Sequence, residues 1–168
     1  MAFDIRKMEV KDAASIIEHK KKVTEENPDT LATAIENKTI TIEEEEATVK
    51  SLGPNDLGIV AVDGDKVVGM LNMRQDHRKK FEHIGQFGIS MQQAYTGSGT
   101  GTEMVKQAIQ FARDNDMLEK IILTVFSNNP GAIKLYRKLG FEEEATLKNQ
   151  VKLAQGYTDL VYMSIDVK

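Results

Sequence analysis

The sequence predicts an α+β fold of three layers. It has a mixed, mostly antiparallel sheet of about seven strands, an α/β/α stacking and one central parallel pair. Two hairpin signals and one crossover carry this reading. The first hairpin turns at Asp63-Gly64-Asp65, the second at Gly156, each between alternating apolar runs. The crossover is a strand, a glycine turn, a helical pattern and a second strand, over residues 83–125; that order joins parallel strands in a right-handed unit.

The elements follow in order. Residues 2–9 read as a first strand, with Phe3 and Ile5 alternating. Asp12 can cap a helix running to about Glu26, with Ala13, Ile16, Ile17 and Val23 as its apolar face and Lys20, Lys21 and Lys22 as its solvated side. Asn27-Pro28 ends it. Residues 29–39 are weakly patterned, a loop or a short helix. Thr41 starts a second helix, with Glu44 completing a capping box and Glu43 to Glu46 favouring the positive dipole end; Gly53-Pro54 closes it. Residues 58–62 and 66–75 are the strands of the first hairpin, and the basic stretch 76–82 reads as a solvated tip. The strand 83–91 leads into the glycine turn. Met104, Val105, Ala108, Ile109 and Ala112 then recur at helical spacing. After the strand 120–125, Asn129 caps a helix with Pro130 at its first position and Gly140 at its end; Ala132, Leu135, Tyr136 and Leu139 share one face. Residues 141–153 and 157–166 form the closing hairpin. The whole reads as one domain, 1–168.

The glycine turn carries the chemistry. Gly97, Gly99 and Gly101 alternate with Thr96, Ser98, Thr100 and Thr102. Glycines let backbone N–H groups converge, and the next helix points its free N–H groups and positive dipole end at the same spot. Strand, glycine turn and helix together make a phosphate or pyrophosphate cradle. A Walker loop requires Lys then Ser or Thr after the last glycine, whereas Thr102 and Glu103 follow Gly101. A dinucleotide fingerprint requires a glycine where Thr102 stands and an acidic residue ending the next strand, whereas Glu119 precedes it.

Composition sets the outer bounds. At 168 residues, 40% apolar and 29% charged, the chain has the make-up of a soluble globular protein with a real core. Its net charge of −4 disfavours nucleic acid as a partner. The lack of cysteine excludes disulfides, thiolate metal sites and a Cys nucleophile, and three scattered histidines give no zinc spacing, so no metal is expected. No apolar run reaches membrane-spanning length and no signal-peptide core is seen at the N-terminus, so a cytoplasmic protein without a membrane partner is expected.

A second motif lies downstream of the cradle. Residues 129–141 read Asn-x-x-Ala-x-x-Leu-Tyr-x-Lys-Leu-Gly-Phe. With Thr96-Gly97-Ser98-Gly99-Thr100-Gly101 in the register of a coenzyme A loop, this stretch resembles the GNAT superfamily of N-acetyltransferases. The resemblance implies a GNAT-like fold with acetyl-CoA as cosubstrate, bound in a splay between the two central parallel strands. It implies the pyrophosphate on the N–H groups of the loop from Thr96 to Thr102. It implies the pantetheine arm beside Ile89, Ser90 and Met91, with a contact to Asn129. Tyr136 becomes the acid that protonates the departing thiolate; on residue type alone, a Tyr on an apolar helix face is core. Two positions depart from the family pattern. Thr96 replaces Arg or Gln, and Gln86 stands where relatives carry Glu. Gln86 cannot take a proton but can hydrogen-bond a substrate. Glu82, His83, a residue within 29–39 and water all stand open as the base. The expected function is transfer of an acetyl group to a small-molecule or protein amine, with a homodimer left open. The alternatives are an acyl-CoA-binding sensor without catalysis and a nucleotide-binding protein.

Overall fold

The computed structural model describes residues 3–32 and 39–168. Among them are seven strands and four α-helices. In chain order these are β1 (Asp4–Lys7), α1 (Ala13–Glu26), α2 (Ile42–Lys50), β2 (Leu57–Asp63), β3 (Lys66–Gln75), β4 (Ile84–Met91), α3 (Thr100–Asp114), β5 (Lys120–Phe126), α4 (Pro130–Lys138), β6 (Glu142–Leu153) and β7 (Gly156–Asp166). One sheet holds all seven strands in the order β1-β2-β3-β4-β5-β7-β6. Only β4 and β5 run parallel, as the crossover predicts, and they are central, as the resemblance implies.

Strand alternation sorts the helices onto two faces. Ile59 and Ala61 of β2 pack into one apolar cluster with Val105 of α3 and Tyr136 of α4. Val60 and Val62, pointing the other way, pack with Ile16 of α1 and Val49 of α2. α3 follows the predicted pattern, burying Met104, Val105, Ala108, Ile109 and Ala112. The capping box of α2 also forms: Thr41 Oγ1 accepts from Glu44 N–H at 3.2 Å while Glu44 Oε2 accepts from Thr41 N–H at 2.9 Å.

Several local expectations are corrected. The first strand covers Asp4–Lys7 within the expected 2–9, and Ala2 lies outside the described residues. Asp12 makes no side-chain cap on α1, because a 3₁₀ turn (Val10–Asp12) precedes that helix. Its carboxylate is instead buried against Arg6, with Nη1 and Nη2 donating at 2.8 Å each, and this charge-assisted pair holds its pKa below the usual carboxylate range. Lys20 is not on a solvated side, since its ammonium donates at 2.8 Å to the buried Glu45. A period of 3.6 must turn one of four consecutive glutamates toward the neighbouring helix. α2 stops at Lys50, ahead of Gly53. Of the stretch 29–39, residues 33–38 lie outside the described residues.

α1 also carries a sealed polar group. His19 is 0% exposed; its Nε2 lies 2.8 Å from Ser90 Oγ, and its Nδ1 lies 3.3 Å from the Gln92 amide nitrogen. That amide donates, so Nδ1 accepts and the ring is neutral with its proton on Nε2. Burial, helped by Lys20, lowers the His19 pKa to about 4. A histidine in the unfolded chain titrates near ~6.5. The lowered folded pKa therefore contributes stability that is complete above the unfolded value and is lost as pH falls toward the folded one. Urea unfolding should show His19→Gln less sensitive to pH than the natural chain between those two values, by up to about 1.4 kcal/mol per pH unit. Parallel pH profiles for the two proteins would show that His19 gains its proton without opposition.

Candidate active site

β4 and β5 pair over three positions, Ile84–Lys120, Gly85–Ile121 and Gln86–Ile122, and then part. β4 stays paired with β3 as far as Met91, and β5 with β7 as far as Phe126. The gap between them is part of a cavity of about 540 Å³. Gln92 N–H donates to Val68 O, continuing the β3–β4 ladder. Alternation along that ladder turns the N–H and C=O of Ile89 and Met91 away from β3, toward the side β5 has left. An extended ligand can therefore bond to β4 as an added strand.

The cavity reaches both faces of the sheet. Phe87 and Ile89 pair with Met73 and Leu71 and face α3 and α4, as do Leu123 and Val125. Gln86, Gly88 and Thr124, one position along, face the α1 and α2 side, where Arg74 and residues 30–32 complete the wall. Two ligands can thus meet through the sheet from opposite sides.

The glycine loop stands at the end of β4. φ is +79° at Gly97 and +82° at Gly99, a left-handed conformation that glycine alone adopts without strain. Gly101 is helical, in the first turn of α3. The hydroxyls between them turn inward: Thr96 Oγ1 donates to Gln93 O at 2.7 Å, Ser98 Oγ donates to Tyr95 O at 3.1 Å, and Thr100 Oγ1 accepts from Phe3 N–H at 3.1 Å. The first hydrogen bond of α3 runs from Glu103 N–H to Gly99 O. Among the described residues, the N–H groups of residues 97–99, 101 and 102 have no protein partner. The loop offers backbone to an anion rather than side chains, so the hydroxyls of Thr96, Ser98 and Thr100 are structural.

Tyr136 lies between the core and the cavity. Its ring is 9% exposed and packs edge-on against Phe87 and Phe141, with centroids 6.0 and 5.8 Å away. Its hydroxyl makes no hydrogen bond among the described residues, yet it is not a sealed polar atom, and the residue lines the cavity. Burial pushes its pKa up to about 12, so the phenol holds its proton throughout the neutral range. Asn129, also on the wall, caps α4 by accepting Ala132 N–H on Oδ1 at 3.3 Å, which leaves its amide N–H groups for a ligand.

The other sequence candidates divide. Gln86 and Ile89 line the cavity, whereas the Ser90 side chain, on the same face as Gln86, is taken by His19. Glu82 and His83 lie at the paired end of β4, and neither lines the cavity. Arg74 and Tyr136 are the only titratable side chains lining it among the described residues. Sequence reading missed Arg74 and Thr124. Their one signal is alternation along a strand, which has no consequence until the pairing register is known.

The chain is 33% identical over 106 residues to the L-amino acid N-acetyltransferase AaaT of Escherichia coli, covering 63% of this chain and just under two thirds of that protein, 65%. An acetyltransferase of the GNAT family from Streptococcus pneumoniae superposes with a TM-score of 0.93 at 27% identity over 99% of both chains. A Salmonella typhimurium structure solved with its cofactor acetyl-CoA shares the fold, with a TM-score of 0.85 at 18% identity over 100% of this chain and 95% of its own. Residues 22–141, from mid-α1 to the end of the Asn129–Phe141 motif, match the model described as Acetyltransferase (GNAT) family, and the chain belongs to that family.

Proposed function

We propose that the protein transfers an acetyl group from acetyl-CoA to a primary amine by direct attack. The observation that carries this is the parting of β4 from β5 beside Tyr136, in a cavity open to both faces of the sheet. On the α3 and α4 side, the free N–H groups of the glycine loop receive the pyrophosphate. The backbone of Ile89 and Met91 and the Asn129 amide hold the pantetheine arm, and one β4 N–H polarises the thioester carbonyl. The amine enters from the α1 and α2 side and attacks the carbonyl carbon through the gap. A C–N bond forms, the C–S bond breaks, and Tyr136 gives its proton to the thiolate and regains one from solvent. Gln86 and Thr124 line the entry for the amine, whose proton leaves to water or to a residue within 29–39. The lack of a lining histidine or carboxylate among the described residues supports a second reading, a binding module that holds acyl-CoA without turning it over.

Ligand choice tests the shared first step. Acetyl-CoA or CoA at about 100 times its Kd should stabilise the folded chain by roughly 2.7 kcal/mol, and ATP or NAD should not. Thermal unfolding reads this directly. A larger shift with ATP or NAD would contradict both readings.

A further inference from the structure

We propose that the acceptor half of the cavity takes an amine that also carries a carboxylate, and that Arg74 receives that carboxylate. The proposal rests on the acetyl-transfer reading above. Arg74 stands opposite Gln86 in the β3–β4 register, so the two side chains share the face from which the amine enters. They are one strand spacing apart, about 5 Å, where β4 begins to part from β5.

The arginine is held in place before any ligand arrives. Nη1 donates to Ser51 O at 3.2 Å and to Asp56 Oδ2 at 3.3 Å; Nη2 donates to Thr48 O at 3.2 Å and to Ser51 Oγ at 2.9 Å. These bonds close the C-terminal end of α2 and fix the guanidinium plane. Nε–H has no partner among the described residues, and the side chain is 37% exposed. Asp56 is the paired charge, and its carboxylate is fixed by Gly53 N–H at 2.8 Å and Gln75 N–H at 2.9 Å. Its side chain is 3% exposed, so it faces the protein and not the incoming ligand. The wall therefore presents an immobilised guanidinium whose one free donor is Nε–H, beside the neutral groups of Gln86 and Thr124 and no lining carboxylate among the described residues. A polyamine would bring a second ammonium against Arg74. An amino acid would place its carboxylate there and its amine toward the gap.

The test compares leucine with leucinamide, which keeps the amine and side chain and loses the negative charge. Calorimetry on CoA-saturated protein reads preference without turnover, and CoA thiol release reads kcat/KM on the same samples. Leucine should bind more tightly than leucinamide by roughly 10- to 100-fold, the worth of one hydrogen bond to a charged group. Arg74→Met should erase that difference and leave leucinamide within about threefold of its original affinity, the scale of a half-unit change in log Kd. Because Arg74→Met strands the buried Asp56, the double variant Arg74→Met/Asp56→Asn, which removes both charges, is measured beside it. Leucine binding no better than leucinamide, including no binding at all, overturns the proposal, as does a preference that survives both variants. Turnover of both compounds without preference removes Arg74 from the site and leaves acetyl transfer standing. Preference without turnover, lost in the variants, does the reverse.

Discussion

Gly101→Glu is expected to abolish acetyl-CoA binding while the fold stays intact. Three glycines form the loop, and they are glycine for different reasons. Gly97 and Gly99 have left-handed backbones, so any side chain there strains the loop itself, and lost binding would be ambiguous. Gly101 is helical, and a Cβ there would meet only Met91 Cγ, at an ordinary 3.7 Å. A glutamate in the first turn of α3 suits the helix dipole by about 0.3–1 kcal/mol, and replacing glycine within a helix gains roughly 0.5–1 kcal/mol. Stability should therefore hold or rise. The new carboxylate, however, competes for the N–H groups meant for the pyrophosphate and repels it. Affinity should fall by at least about 100-fold, or roughly 2.7 kcal/mol. Calorimetry paired with urea unfolding decides this: unchanged affinity in a folded variant removes the cradle from the binding site.

Tyr136→Phe should lower turnover with any working acceptor by ~10²–10⁴, toward the smaller end, while acetyl-CoA affinity changes little. The substitution removes one oxygen and keeps the ring between Phe87 and Phe141. That oxygen makes no hydrogen bond among the described residues, so melting temperature should stay close to that of the natural chain. With the pKa pushed up to about 12, the natural chain should show no alkaline loss of rate from this group across the neutral range. Equal turnover in the variant would return Tyr136 to a packing role. If neither protein acetylates any amine while both bind acetyl-CoA, the binding module becomes the better account.

The core reading of Tyr136 holds, and the same residue also lines the cavity. An aromatic at helical spacing with Ala132 and Leu139 has to bury its ring, and that follows from periodicity alone. Whether the hydroxyl ends in the core or in a cavity depends on where β4 and β5 separate, and no local pattern marks that point. The hydroxyl-rich loop shows the opposite limit. Its glycines predict the turn, but the partners of its hydroxyls, Gln93, Tyr95 and Phe3, are supplied by the surrounding fold.

Local patterns specify the helices, the hairpins, the glycine turn and the parallel crossover, because each depends on residues close together in the chain. They also specify the family, through residues 129–141 following the glycine loop. Which side of the sheet each candidate faces depends on strand pairing. Register joins Arg74 to Gln86 and gives Ser90 to His19, two pairings between residues far apart in the chain. One residue of slip in a strand moves every side chain to the other face, so the cavity wall of Arg74 and Gln86 exists only once the sheet has paired.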